Sequence, residues 1–334
     1  MCPATGDRLI LLVEMIRDDR VWEGSLATEC GTRYPIRNGI PNLIYPAELP
    51  SSDARNLAYY EHEAERYDQN LPFTFRVFGA DEVRIRNALI DGLNLSPNSR
   101  VLETGCGTGR DSELIARRLG PEGRLYLQDL SPAMLRKAVE RLAGSWVPVE
   151  FALANACHLP FPDRAFDAVY HTGGLNTFSD AGRALREMTR VTRPGGKIVV
   201  GDESMAPWLR ETEFGQVLMH TNPHYRHELP LAHLPVEARN VVVRWLLGGM
   251  SYAIEYEVGV GEPAADFDAE IPGPRGGTLR TRYYGQLEGV TPEATHLAER
   301  ARARSGKSMH RWLTDAIVET ARSQLKADEA PPTG

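Results

Sequence analysis

Val101-Leu102-Glu103-Thr104-Gly105-Cys106-Gly107-Thr108-Gly109-Arg110 leaves this chain few folds to choose from. Two apolar residues read as a short buried strand, and Glu103 closes its end. Three glycines at alternate positions then form a tight loop, which opens into the helical pattern of Leu114, Ile115 and Leu119. Glycine belongs where a backbone turns sharply or a ligand lies against it, because a Cβ would collide. A second strand, Arg124-Leu-Tyr-Leu-Gln-Asp, ends in Asp129, 20 residues after Gly109, where an acid can grip a ribose hydroxyl pair. Strand, loop, helix, strand and acid in that order predict a nucleoside-cofactor site.

The dinucleotide fingerprint places glycines first, third and sixth, but the sixth position here is Arg110. Glu103 would also meet a pyrophosphate with a negative charge, whereas a carboxylate suits a cationic ligand such as the ammonium of a methionine moiety. Glu-x-Gly-x-Gly-x-Gly resembles the first motif of class I S-adenosylmethionine-dependent methyltransferases. Leu127-Gln-Asp-Leu-Ser-Pro-Ala-Met-Leu resembles their second. Leu153-Ala-Asn-Ala-Cys-His-Leu-Pro-Phe-Pro-Asp-Arg-Ala-Phe-Asp resembles the third, in the form found in the ubiquinone/menaquinone-biosynthesis methyltransferases. Glu187-Met-Thr-Arg-Val-Thr-Arg-Pro-Gly-Gly-Lys-Ile-Val-Val is similar to the turn into that fold's fifth strand. The resemblance covers about residues 57–260.

It implies S-adenosyl-L-methionine as co-substrate, methyl transfer to a small-molecule acceptor at carbon or oxygen, and a set of site residues. Glu103 and the loop of Gly105, Cys106, Gly107 and Gly109 would hold the methionine part, and Asp129 with Leu130 the ribose side. Asn155 and Ala156 would meet the adenine edge, and Met134 would pack on its ring. Tyr67 sits where the resembled subfamily lays an N-terminal segment over the cofactor; it either faces the sulfonium or packs its own helix. His171, after the fourth strand, is the candidate catalytic residue: a base near neutral pH, or a backbone hydrogen-bonding group to the cofactor. Displacement at a sulfonium needs no covalent enzyme nucleophile, and a base only if the acceptor must lose a proton. Cys106 has no neighbouring base to make it a nucleophile.

The fold class expected is α/β: a doubly wound, mostly parallel seven-stranded sheet of the Rossmann-like methyltransferase type, with small additions at both ends. The sheet domain spans 96–261, with strands at Arg100–Glu103, Arg124–Asp129, Val149–Leu153, Phe166–Tyr170 and Lys197–Val200, then a hairpin of Asn240–Leu246 and Ser251–Val258. Ligands in such sheets bind beyond the carboxyl ends of the strands, so Glu103, Asp129, Asn155, His171 and Glu203 should face one crevice. A His- and Pro-rich insertion, 204–235, is expected to cap the acceptor pocket. Its His224-x-x-His227 lacks a third ligand at defined spacing and reads as surface or pocket lining. Residues 47–95 predict a helical segment over the cofactor, with helices around Leu57–Tyr67 and Val83–Leu93.

Residues 1–46 form a separate small unit. Cys30-Gly-Thr-Arg-Tyr-Pro-Ile-Arg-Asn-Gly-Ile-Pro-Asn-Leu-Ile resembles half of a zinc ribbon. Thr5 and Ala27 stand where the thiolate partners of Cys2 and Cys30 would be, so the expectation is a ribbon that keeps its hairpins and holds no metal. Residues 262–284 read as a Pro/Gly-rich linker. Residues 285–326 resemble the helix pair of ribbon-helix-helix DNA-binding modules. Met309, Trp312, Leu313, Ala316 and Ile317 share one helix face, Ser308 is its N-cap, and Gly306 marks the turn before it. Gln286-Leu-Glu-Gly-Val-Thr is a poor version of the DNA-reading strand, so homodimerisation or packing through the helices is weighed above DNA binding. A regulator with a cofactor-sensing domain and a macromolecule methyltransferase are the rival readings.

With 25% charged and 42% apolar residues the composition is that of a globular chain, and the net charge of -7 argues against wholesale nucleic-acid binding. No run of about 18 apolar residues offers a membrane span. Glu14 interrupts the apolar Leu9–Ile16, so no signal peptide is expected; four cysteines without a C-x-x-C pair fit a reducing cytoplasm.

Overall fold

The computed structural model describes residues 1–284 and 291–328. They divide into two compact units, one over Met1–Pro263 and a second starting at Ala264. Among the described residues no helix is long and apolar enough to cross a membrane.

The first unit opens with a four-stranded antiparallel sheet in chain order: β1 Ile10–Arg17, β2 Arg20–Ala27, β3 Arg33–Arg37 and β4 Ile40–Pro41. Asp18-Asp19 and Asn38-Gly39 link β1 to β2 and β3 to β4 with positive φ at every residue, the backbone that two-residue hairpins demand. The two cysteine thiols of this unit lie against hydroxyls, Cys2 Sγ 3.3 Å from Tyr34 and Cys30 Sγ 3.1 Å from Thr28.

Two helices follow, α1 Ser51–Val77 and α2 Glu82–Asp91. α1 is far longer than its sequence period announces. Its Asp53, Glu61, Glu65 and Asp68 make ion pairs and hydrogen bonds with the sheet domain, and so extend no apolar stripe. Asp81 caps α2 by accepting the Arg84 N–H at 3.0 Å.

The alternating remainder contains β5 Arg100–Thr104, α3 Arg110–Ala116, β6 Arg124–Asp129, α4 Pro132–Leu142, β7 Val149–Leu153, β8 Phe166–Thr172, α5 Ala181–Val191, β9 Thr192–Glu203, α6 Glu213–Thr221, β10 Ala238–Leu246 and β11 Ser251–Val258. Seven strands form one sheet in the order β10-β11-β9-β8-β5-β6-β7. β5 to β9 run parallel, while β11 is antiparallel to both β9 and β10. Side chains on both faces are buried, among them Val101, Leu102, Leu125, Leu127, Val169 and Ile198, which is why the strands read as apolar runs without alternation. Ser131, with Pro132 behind it, caps α4 by accepting the Met134 N–H at 3.1 Å, and Asp180 caps α5 by accepting that of Arg183 at 2.7 Å.

Residues 204–235 fold as α6 and short turns, and their Met205, Met219 and Tyr225 cluster with Met250 from the turn between β10 and β11.

In the second unit α7 Leu279–Tyr284, α8 Pro292–Ser305 and α9 Met309–Asp328 are helical. Gly306 (φ +68°) ends α8, and Ser308 Oγ accepts the Arg311 N–H at 3.3 Å at the start of α9. The stretch expected to be a bare linker is ordered here. It carries α7, and the carbonyls of Pro274 and Arg275 accept the Met309 and His310 N–H groups at 2.7 and 3.0 Å. The expected strand from Gln286 falls on 286–290, outside the described residues.

Candidate functional site

The loop after β5 takes left-handed backbone at all three glycines, with φ of +62°, +53° and +78° at Gly105, Gly107 and Gly109. At two of them a side chain would also be crowded. A Cβ on Gly105 would stand 3.3 Å from His171 Cε1, and one on Gly109 3.1 Å from Ala138 Cα. The loop therefore lies directly against the end of β8 on one side and α4 on the other.

Asp129, at the end of β6, ties this loop down. Its Oδ2 accepts the Gly107 N–H at 2.8 Å, and its Oδ1 accepts the Ser131 N–H at 2.8 Å. Burial pushes its carboxyl above the ordinary range, and the backbone N–H groups of Ser131 and Gly107 pull it back. Asn155, past β7, accepts the Cys157 N–H at 2.9 Å and donates to Asp53 of α1 at 3.3 Å. Asp53 also accepts the N–H and hydroxyl of Ser179 at 2.8 and 2.7 Å.

His171, at the end of β8, is fully buried. Its Nδ1 lies 2.7 Å from the Thr104 carbonyl. A carbonyl can only accept, so Nδ1 carries the hydrogen and the neutral ring leaves Nε2 bare. Nε2 has no hydrogen-bond partner. Burial holds the imidazole below its ordinary pKa, partly opposed by the Thr104 carbonyl and the Asp202 carboxylate. The ring of Phe178 is centred 5.0 Å away.

These groups surround a cavity at the carboxyl ends of the parallel strands, the place where ligands of such sheets bind. Nine residues expected to form the site line it: Tyr67, Gly105, Gly107, Asp129, Leu130, Met134, Asn155, Ala156 and His171. Glu103, Cys106 and Gly109 are not among the lining residues. Glu103 instead accepts the Ser112 hydroxyl at 2.5 Å, where burial and the neighbouring Asp111 carboxylate raise its pKa well above the usual value. Its Oε2 thus turns toward α3. Glu203 and residues 204–235 are likewise absent from the lining, while α1, within the helical segment expected over the cofactor, contributes to it.

Of α1, sequence reasoning named the covering segment but only Tyr67 among its lining residues. Asp53, Asn56, Leu57 and Tyr60 all line the cavity and fall with Tyr67 at i, i+3, i+4, i+7 and i+14, one face of the helix. The Tyr60 and Tyr67 rings meet edge to face at 6.2 Å, and burial pushes the Tyr67 phenol up to about 12. Gln128, one residue before Asp129, also lines the cavity; its side-chain nitrogen donates to the Ala154 carbonyl while its oxygen, buried, has no partner. No lysine or arginine is among the lining residues.

Residues 101–196 match the family described as a methyltransferase domain. Among curated proteins, the ubiquinone/menaquinone biosynthesis C-methyltransferase of Cupriavidus pinatubonensis is 40% identical over 107 residues, covering 32% of this chain and 44% of that protein. The enzyme of the same description from Bordetella parapertussis is 37% identical over 155 residues, 46% of this chain and 58% of its own. The chain thus spans about half the length of the curated relatives it matches. Among solved structures, a Haemonchus contortus phosphoethanolamine N-methyltransferase 2 in complex with S-adenosyl-L-methionine aligns at a TM-score of 0.48 and 13% identity, over 68% of this chain and 62% of its own. A geranyl diphosphate methyltransferase aligns at 0.43 and 16%, over 53% and 85%. Strand order and the matched domain together make the seven-stranded sheet a Rossmann-like methyltransferase fold.

Proposed function

We propose that this chain is an S-adenosylmethionine-dependent methyltransferase acting on a small-molecule acceptor, at carbon or oxygen. The observation that carries the reading is a pair of orphaned acceptors in one cavity. Gln128 Oε1 and His171 Nε2 are both buried, both belong to lining residues and both lack a partner. Buried polar atoms in that condition await a ligand's donors. The side-chain-free face of Gly105 and the Asp129 clamp beside them suit a nucleoside-bearing group.

Bound S-adenosylmethionine would supply an electrophilic methyl group. The chain's own residues would do the rest. Asp129, already anchored through the loop N–H groups, would take the ribose hydroxyls. Asn155, Ala156 and Met134 would hold the adenine, and Gly105 and Gly107 would let the methionine part lie against backbone. Tyr60, Tyr67 and α1 would exclude water. His171, neutral with Nε2 bare, would accept a proton from the acceptor as the base of the reaction. The aromatic walls of Tyr60, Tyr67 and Phe178, without a lysine or arginine, favour a flat uncharged acceptor over a carboxylated one.

Isothermal titration with S-adenosylhomocysteine tests the reading. Saturable one-to-one binding is expected, and the absence of heat across millimolar ligand removes it.

A further inference from the structure

The N-terminal sheet reaches the wall of the cavity. After β4 the chain runs beside the outer edge of β7, where Asn42 forms a parallel bridge with Leu153 and the Leu43 N–H donates to the Leu153 carbonyl at 2.7 Å. Leu43 then packs with Tyr34 and Cys2 against Ala154 in one buried cluster. Ala154 is itself fully buried, its N–H donates to the Asp129 carbonyl at 3.0 Å, and its carbonyl accepts from the Gln128 side chain. The next two residues, Asn155 and Ala156, line the cavity.

Ala154 is thus gripped from two directions. The end of β6 holds its backbone, and the N-terminal unit holds its methyl group. β7 is an outer strand, and outer strands fray where their free N–H and C=O groups find no partner. The hydrogen bond from Leu43 and the packing beneath it fix the point at which the outer strand turns into the cavity wall. The lost thiolate partners opposite Cys2 and Cys30 do not bear on this role, because the contact is made by Leu43, Tyr34 and the Cys2 side chain as an apolar cluster.

We infer that the N-terminal unit positions the adenine side of the site, with Leu43 as the positioning residue that sets Asn155 and Ala156 through Ala154. The inference rests on the cofactor reading above. It differs from a merely structural role in being directional, since only ligands that carry the adenine should register the change.

The test uses the full chain and two ligands, S-adenosylhomocysteine and S-ribosylhomocysteine, which lacks the adenine. Titration of Leu43→Ala should show S-adenosylhomocysteine affinity lowered about tenfold with S-ribosylhomocysteine affinity kept within about twofold of the parent. Leu43→Met, close in volume, should restore both. Should Leu43→Ala fail to unfold cooperatively, Leu43→Val gives the same comparison with a smaller truncation. Equal losses for both ligands, or no loss for S-adenosylhomocysteine, overturn the inference and leave the unit a mere support of the fold. An unsubstituted chain that binds neither ligand overturns the cofactor reading instead, and the positioning role with it.

Discussion

Glu61 of α1 accepts the Ser131 hydroxyl at 2.5 Å, and the same carboxylate oxygen accepts the Ala133 N–H at 2.8 Å. A side chain 70 residues earlier in the sequence thereby completes the N-terminus of α4, where orphan N–H groups and the helix dipole favour an anion. Further along α1, Glu65 pairs with Lys137 at 2.7 Å, while Asp68 accepts the Thr108 hydroxyl at 2.7 Å and pairs with Arg141. One acidic face thus clamps α1 to α4 and the glycine loop, and the adjoining face closes the cavity with Leu57, Tyr60 and Tyr67.

Glu61→Ala removes an interaction of the capping kind and should lower unfolding free energy by about 1 kcal/mol. Its larger effect should be on ligand binding, because the helix it anchors is the cavity's cover. Urea unfolding with and without S-adenosylhomocysteine separates the two: the ligand-induced stabilisation should shrink in Glu61→Ala and return in Glu61→Gln, whose amide oxygen still accepts. Unchanged ligand stabilisation in the alanine variant would show that α1 does not close over the ligand.

Asp129→Ala deletes the acid between Gly107 and Ser131. Charge-assisted hydrogen bonds to a ribose pair contribute about 1.5–3 kcal/mol each, so S-adenosylhomocysteine affinity should drop at least about a hundredfold. A loss under about threefold, read by calorimetry, would take the ribose role away from Asp129.

Much of this could be read from the residues in order. β6, β7 and β11 begin and end where their apolar runs do, and the loop and Asp129 lie side by side as their spacing requires. What stayed hidden depends on partners far along the chain. The acids of α1 look like a solvated helix face until Ser131, Lys137, Arg141 and Ser179 are seen beneath them. Glu103 at a strand end invites assignment as a ligand-facing charge, yet Ser112 turns back from α3 to take it. The His- and Pro-rich composition of 204–235 also does not reveal that its Met205, Met219 and Tyr225 pack with Met250 of the turn between β10 and β11.

Glu103 gives a pH test with a definite sign. Burial, reinforced by Asp111 and only partly offset by Ser112 and Arg86, raises its carboxyl in the folded chain. The folded state holds a proton that the unfolded state has released, so this group's contribution is full below the unfolded pKa and is lost as pH rises through the folded one. Glu103→Gln, which still accepts from Ser112, should therefore gain stability relative to the parent as pH increases from about 4.5 upward. Guanidinium unfolding at several pH values checks it. A relative loss that grows with pH would mean that Glu103 is ionised and paired.

His171 carries the opposite sign. Its folded pKa lies below the ordinary 6.5, chiefly from burial, so below that value the unfolded chain binds a proton the folded one resists. The stability that the neutral ring preserves is present above pH 6.5 and falls as pH drops toward the folded pKa. In His171→Asn, whose amide can still donate to Thr104, that acid-side slope should flatten, and S-adenosylhomocysteine affinity should hold if the ring serves the acceptor and not the cofactor. Nitrogen chemical shifts of the imidazole read the tautomer directly, with Nδ1 protonated and Nε2 bare at neutral pH as the expected result. A proton on Nε2 under those conditions would leave the ring unable to accept one from an acceptor, and the base would have to be sought elsewhere in the cavity.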